Sequence, residues 1–285
     1  MEYIKSPLNY IGNKYRIIAQ IQRWFPKDID TMLDLFCGGC DVSINTSAKK
    51  HLANDINVYL IQILNEFKTL GVDATLDYID DVIKSRNLSK DNEEAYLKFR
   101  DEYNNCEQKN PLDLYVLMCY SFNYQFRFNS SHQYNNPFGR ARSSFNETMR
   151  ENLIMMINKL CDIEFSSIDF LNYDYSILKK GDFVYADPPY LITCGSYNDG
   201  KRGFRGWGKD DEIALYNILD ALNDKGIKFA LSNVVEHKGE KNTLLLSWKN
   251  RNRYHLHHIN FNYDNCNYHT ANKKNKTDEV LITNY

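Results

Sequence analysis

Apolar positions along the chain switch between two spacings. At helical spacing, Ile17, Ile18, Ile21 and Trp24 share one face of residues 14–24, a stretch that Pro26 ends. Residues 58–120 keep that period, with breaks near Gly71, near Asn87 and at 104–111, and 112–120 read as an apolar helix. Residues 146–160 and 210–223 add two more helices. Between them lie short apolar runs of the buried-strand type, at 31–36, 51–55, 163–168, 183–186, 228–231 and 279–284. His255, His257 and His258 fall in an alternating run that reads as one face of a strand and its exposed neighbours. Strands alternating with helices predict an α/β chain built on a largely parallel sheet.

Chemistry collects where the strands end. Residues 31–36 run into Cys37-Gly38-Gly39-Cys40-Asp41. Strand, glycine turn and helix make the first half of a Rossmann-like unit, in which Gly38, beside Phe36, lets the backbone approach a cofactor. About 20 residues on, Asp55 ends the second strand, where an acid can hold the two hydroxyls of a ribose. Asp169 and Phe170, at the tip of the third strand, suit the adenine of a cofactor. Tyr10-Ile11-Gly12-Asn13-Lys14 sets a glycine turn and a lysine at a helix start, an arrangement that holds an anion or carboxylate. A plain loop-to-helix turn explains the same residues. The glycines are too few for the G-x-G-x-x-G that a pyrophosphate requires, which favours the phosphate-free S-adenosylmethionine over NAD. Cys37 and Cys40 spell C-x-x-C, but no second pair stands at zinc-ligand spacing, so no metal is expected.

The fourth strand leads into Asp187-Pro188-Pro189-Tyr190. Two prolines fix φ and remove two backbone donors, holding Asp187 and Tyr190 at a set separation. Pro188 precedes a proline and is driven extended, so its carbonyl projects. A carboxylate, a bare carbonyl and an aromatic face on one rigid platform suit an exocyclic amine on a planar ring. A tight turn with a structural tyrosine is the bland alternative.

Composition narrows the field. The chain has 285 residues, enough for one large domain or a domain with an insertion, and 43% of them are hydrophobic. No apolar run is long enough to span a bilayer and the first residues lack a signal-peptide pattern, so a cytoplasmic protein is expected. Seven scattered cysteines fit reduced thiols. A net charge of −2 excludes a general polyanion binder, so any nucleic-acid affinity must come from a local basic face. Residues 121–150 offer one: Asn123, Gln125, Arg127, Asn136, Arg140 and Arg142 interleave with aromatics, as phosphate and base-edge contacts require. A solvated loop with core aromatics would look the same. The glycine-rich stretch 192–209 carries Lys201, Arg202, Arg205 and Trp207, and reads as a loop that closes over DNA.

Taken together these motifs resemble the Dam-type DNA adenine-N6 methyltransferases, including the methylases of restriction–modification systems. Tyr10-x-Gly12-x-Lys14 resembles the family's amino-terminal cofactor motif, Phe36-Cys-Gly38-Gly its F-x-G-x-G loop, and Asn54-Asp55-Ile-Asn its ribose-binding D-x-N. Phe122-Asn123, Arg127-x-Asn129 and Asn136-Pro-Phe-Gly-Arg140 are similar to its target-recognition hairpin, and Asp187 to Tyr190 to its catalytic motif. The resemblance implies a Rossmann-like methyltransferase sheet from residues 1–58 and 151–285, with 59–150 inserted as the target-recognition domain. It also implies S-adenosylmethionine as cofactor, touched by Asp187 as well as by the cofactor motifs, double-stranded DNA as substrate, a separately acting restriction endonuclease as partner, no membrane, and a monomer. Gln125 stands where the family often has an apolar residue, so a GATC target does not follow. Rival classes are amino-methyltransferases acting on RNA, protein glutamine or cytosine N4, which tend to replace the aspartate of the tetrapeptide. A catalytically silent DNA-binding protein and a NAD-dependent oxidoreductase are the others.

Overall fold

The computed structural model describes residues 3–10, 12–193, 206–259 and 277–285. Short apolar runs followed by helical crossovers pair in parallel: β1 (Thr31–Asp34), β2 (Lys50–Asn54), β3 (Ile163–Ser166), β4 (Phe183–Ala186) and β5 (Lys228–His237). Among the described residues the sheet also holds β6 (Glu240–Lys241), β7 (His255–Ile259) and β8 (Thr277–Thr283). Its order is β3-β2-β1-β4-β5-β8-β7, with β8 antiparallel to both neighbours and β6 paired to β5. The order reverses direction between β1 and β4, so the crevice beyond their carboxyl ends is the switch point where α/β sheets bind ligands.

Strand alternation gives the sheet two apolar faces. Leu33, Val184, Ala186, Val280 and Ile282 pack with α6 (Lys209–Asp224) and α7 (Thr243–Asn252) on one side. Met32, Phe183, Tyr185 and Leu281 meet Ile17 and Ile21 of the amino-terminal segment on the other. That segment is a four-residue α1 (Ile18–Ile21) between two 3₁₀ turns rather than one continuous helix. A third cluster joins α2 (Val58–Ser85), α3 (Glu93–Asn105), α4 (Pro111–Tyr120) and α5 (Glu147–Leu160) to the glycine turn through Cys37, Cys40 and Ile44.

Helix starts follow local side-chain chemistry. Asn57, Asn92, Asn110, Asn146 and Asn242 cap α2, α3, α4, α5 and α7, each accepting a backbone N–H of the first turn. Gly71 (φ 73°) kinks α2 where the sequence pattern breaks. Two expectations needed correction. The strand expected at 228–231 runs on to His237, because Ser232 and Asn233 find buried partners in the Tyr185 hydroxyl and the Glu212 carboxylate. Helix α7 was not anticipated, since its sequence is half polar and its cap is a single asparagine.

Candidate active site

The turn after β1 is pinned from three sides. The Cys37 N–H donates to the Asn54 carbonyl, and Gly38 N–H to Asp55 Oδ2 at 2.9 Å. Asp55 Oδ1 accepts from Asn57 N–H at 2.8 Å, so this buried carboxylate ties the glycine turn to the start of α2. Burial raises its pKa and the two N–H bonds oppose the rise. Gly38 sits at φ +49°, and a Cβ there would lie 2.9 Å from the Tyr10 ring, so both the turn and that contact favour glycine. Gly12 supplies a carbonyl that accepts from Lys14 Nζ at 2.8 Å.

Beyond the turn lies an open cleft walled by Phe36, Phe170 and Trp207 and bordered by Asp169, Asn54, Ile56 and Pro189. The three rings stand 5.2–5.7 Å apart, centroid to centroid. Asn54 clips the strand ends together, donating to Leu35 and Ile168 carbonyls and accepting from Ser166 and Ile168. Trp207, expected in a loop over DNA, is instead buried in this cleft wall, its indole N–H donating to Glu212 at 2.7 Å. Apolar surface in the wall outweighs the charge of its neighbours. Lys201, Arg202 and Arg205 lie outside the described residues.

Pro189 joins that cleft to the tetrapeptide. Asp187 Oδ2 pairs with Lys14 Nζ at 2.6 Å, and Oδ1 accepts from the Tyr190 hydroxyl at 2.8 Å. Lys14 also stands 5.4 Å from the Tyr190 ring centroid. A residue that the sequence patterns missed completes the group: Glu279 of β8, whose Oε1 lies 3.1 Å from the Tyr190 hydroxyl and 3.9 Å from Lys14 Nζ. Burial raises the pKa of both Asp187 and Glu279, and Lys14 opposes the rise at each. Asp34, at the end of β1, was missed as well. It is buried, accepts from Ser43 at 2.7 Å, and its other oxygen has no hydrogen-bond partner among the described residues. Burial, reinforced by Asp187 and Asp55, pushes its pKa up to about 7.

The recognition segment is a folded arm. Ser121 bridges Phe138 and Phe128 bridges Tyr134 in antiparallel fashion, with Phe128 stacked 4.3 Å from Tyr59. Asn123 and Tyr124 both hold φ of 55°, and Asn9 donates to the Asn123 carbonyl at 2.8 Å, tethering this turn to the amino-terminal motif. Arg127 and Arg142 are exposed and Gln125 is half-buried. Arg140 is exposed but paired with Glu93. Asn136, expected among the DNA readers, is an anchor. It is 2% exposed, and its amide donates to the Ser121 hydroxyl and to the carbonyls of Phe122 and Gln125.

Comparison with known proteins shows the family. The family model for D12 class N6 adenine-specific DNA methyltransferases matches residues 10–277. The type II methyltransferase M.FokI of Planomicrobium okeanokoites is 49% identical over 99% of this chain, and the modification methylase StsI of Streptococcus sanguinis is 49% identical over all of it. The chain spans 43% of the length of each of these two relatives. A DNA adenine methylase of Vibrio cholerae is 25% identical over 82% of both chains. With a switch-point cleft, an Asp-Pro-Pro-Tyr platform at its mouth and a family match across nearly its whole length, the chain belongs to the D12 class N6 adenine-specific DNA methyltransferases.

Proposed function

We propose that the chain moves a methyl group from S-adenosylmethionine to the exocyclic amine of an adenine swung out of a short duplex DNA target. The observation that carries this is Asp187, a half-buried acceptor at a switch-point strand end, flanked by an aromatic ring and opening through Pro189 onto the cleft. The cofactor fits the residues present. Phe36, Phe170 and Trp207 offer an apolar slot for a purine with Asp169 at its border, while Asp55, expected to hold the ribose, is buried with both oxygens on backbone N–H groups and acts by fixing the glycine turn. Asp169 borders the cleft and Asp187, paired with Lys14, lies just beyond Pro189, so carboxylates stand at its edge, which favours a cationic donor. When bound, the sulfonium supplies an electrophilic methyl.

An adenine amine is a poor nucleophile because its lone pair is delocalised into the ring, and inside a duplex it is out of reach. Extruding the base costs a few kcal/mol, which stacking on Tyr190 offsets. Asp187 and the Pro188 carbonyl accept the two N–H groups and orient the amine. Positioning and charge stabilisation therefore do most of the work. Lys14, which pairs with Asp187 rather than with a distant anion, keeps that carboxylate ionised and in place. Residues 1–58 and 151–285 carry this chemistry and 59–150 the target recognition, with Arg127 and Arg142 on phosphate or base and Asn123 and Gln125 beside them. Lys201, Arg202 and Arg205 add phosphate contacts. The enzyme works as a cytoplasmic monomer, in DNA marking or beside a separately acting restriction endonuclease.

Incubation with tritiated donor and random-sequence duplex, followed by digestion to nucleosides, tests the assignment. Label in N6-methyladenine alone is the expected result. Label in N4-methylcytosine, or in RNA and not DNA, would replace it with a rival amino-methyltransferase.

A further inference from the structure

Methyl transfer to an amine releases a proton, and the residues around Asp187 define where it goes. As the N–C bond forms and the S–C bond breaks, the adenine nitrogen becomes cationic and must lose one of its two hydrogens. Asp187 is the acceptor beside it. Both Asp187 oxygens are already engaged, one by the Lys14 ammonium at 2.6 Å and the other by the Tyr190 hydroxyl at 2.8 Å. Once Asp187 is protonated, its bond to Tyr190 reverses: the carboxyl now donates, and the phenol proton needs a new acceptor. Glu279 Oε1 stands 3.1 Å from the same hydroxyl.

We infer that Glu279 receives the proton released from the target amine, by way of Asp187 and the Tyr190 hydroxyl. The step balances. Asp187 gives the proton it took from nitrogen to the Tyr190 oxygen, Tyr190 gives its own to Glu279, and Asp187 returns to its carboxylate form beside Lys14. The inference rests on the function proposed above and extends it to a residue on β8 that touches no substrate, so Glu279 is a positioning residue acting through Tyr190. Placement follows from strand alternation: Glu279 shares its face with Leu281, which packs on Ile17 and Ile21 just after Lys14. Its register neighbours, Val234 on β5 and Ile259 on β7, are apolar. Among the described residues, the titratable groups facing the relay are therefore Lys14, Asp187, Tyr190 and Tyr185, with Asp34 on the far side of Asp187. Burial and the Asp187 charge both raise the proton affinity of Glu279, as a terminal acceptor requires.

Two variants test the relay in single-turnover transfer on duplex DNA. Glu279→Gln keeps a hydrogen-bond acceptor for Tyr190 but takes up no proton, and Tyr190→Phe keeps the ring but removes the hydroxyl. Each is expected to slow transfer by about tenfold or more, with dissociation constants for DNA and donor within about threefold of the parent. The double variant should be no slower than the worse single one, and the acidic limb of the pH–rate profile should move to lower pH in E279Q. Transfer by E279Q within about twofold of the parent, a loss with an unchanged pH profile, or losses that multiply in the double variant would overturn the relay. A parent protein that methylates no DNA in the same assay would overturn instead the function on which the relay rests.

Discussion

Replacing Lys14 by methionine removes the cation that lies within ion-pair distance of both Asp187 and Glu279, and leaves two carboxylates facing each other across the Tyr190 hydroxyl. The side chains of Lys14 and Asp187 retain only 7% and 15% of their exposure. Breaking such a pair on one side costs roughly 3–5 kcal/mol, and the residual exposure of Asp187 argues for the lower end, about 3 kcal/mol near pH 8. The deficit should depend on pH. Burial already raises the pKa of Asp187 and of Glu279, with Lys14 opposing, so the variant raises both further. A carboxyl whose folded pKa exceeds its unfolded value of about 4 stabilises the fold below that value and loses the contribution as pH rises through the folded pKa. Urea unfolding of parent and Lys14→Met at about pH 5 and pH 8 should therefore show a small gap that opens to about 3 kcal/mol. Equal stabilities, or a gap independent of pH, would refute a buried Lys14–Asp187 pair as the organiser of the site.

Other perturbations separate the remaining parts. Asp34→Asn keeps an acceptor for Ser43 and removes a carboxyl whose pKa moves from 3.8 to about 7, so it should gain on the parent as pH rises from about 4 to 7, by up to roughly 4 kcal/mol in unfolding experiments. Trp207→Leu should weaken donor binding by roughly tenfold in calorimetry and leave DNA affinity nearly unchanged, because the indole walls the cleft proposed to take the donor. Arg127→Ala should reduce the salt dependence of DNA binding by about one unit of slope. Asn136→Ala should leave that slope alone and destabilise the fold by about 1–3 kcal/mol, since the carbonyls and hydroxyl it serves lose their donor.

What the sequence disclosed follows from short-range chemistry. Strand-then-glycine at 31–41, the acid at Asp55 and the Asp-Pro-Pro-Tyr run are local signals, and the parallel core strands occur where apolar runs predicted them. Glu279 escaped because an acid at the start of an apolar strand looks like a solvated strand end. Only sheet order, with β8 set between β5 and β7, brings it to Tyr190 across 89 positions of sequence. Asp34 sat inside a strand and read as part of its apolar run. Trp207 was grouped with its basic neighbours, and Glu212, which holds its indole, lies one helical turn further on. Asn136 illustrates the opposite error: amide-rich loops suit base edges and loop carbonyls equally, and here the carbonyls claim the side chain.

The central claim is that the carboxylate at 187 is an acceptor for the target amine and is not needed to hold the cofactor. Donor binding by calorimetry and methylation of random duplex DNA, with the modified sites sequenced, should be measured side by side for the parent and Asp187→Ala. The parent is expected to mark adenine within one short sequence, and the variant to bind donor within about tenfold of the parent while marking none. Methylation by the variant at a rate near the parent's would contradict the account.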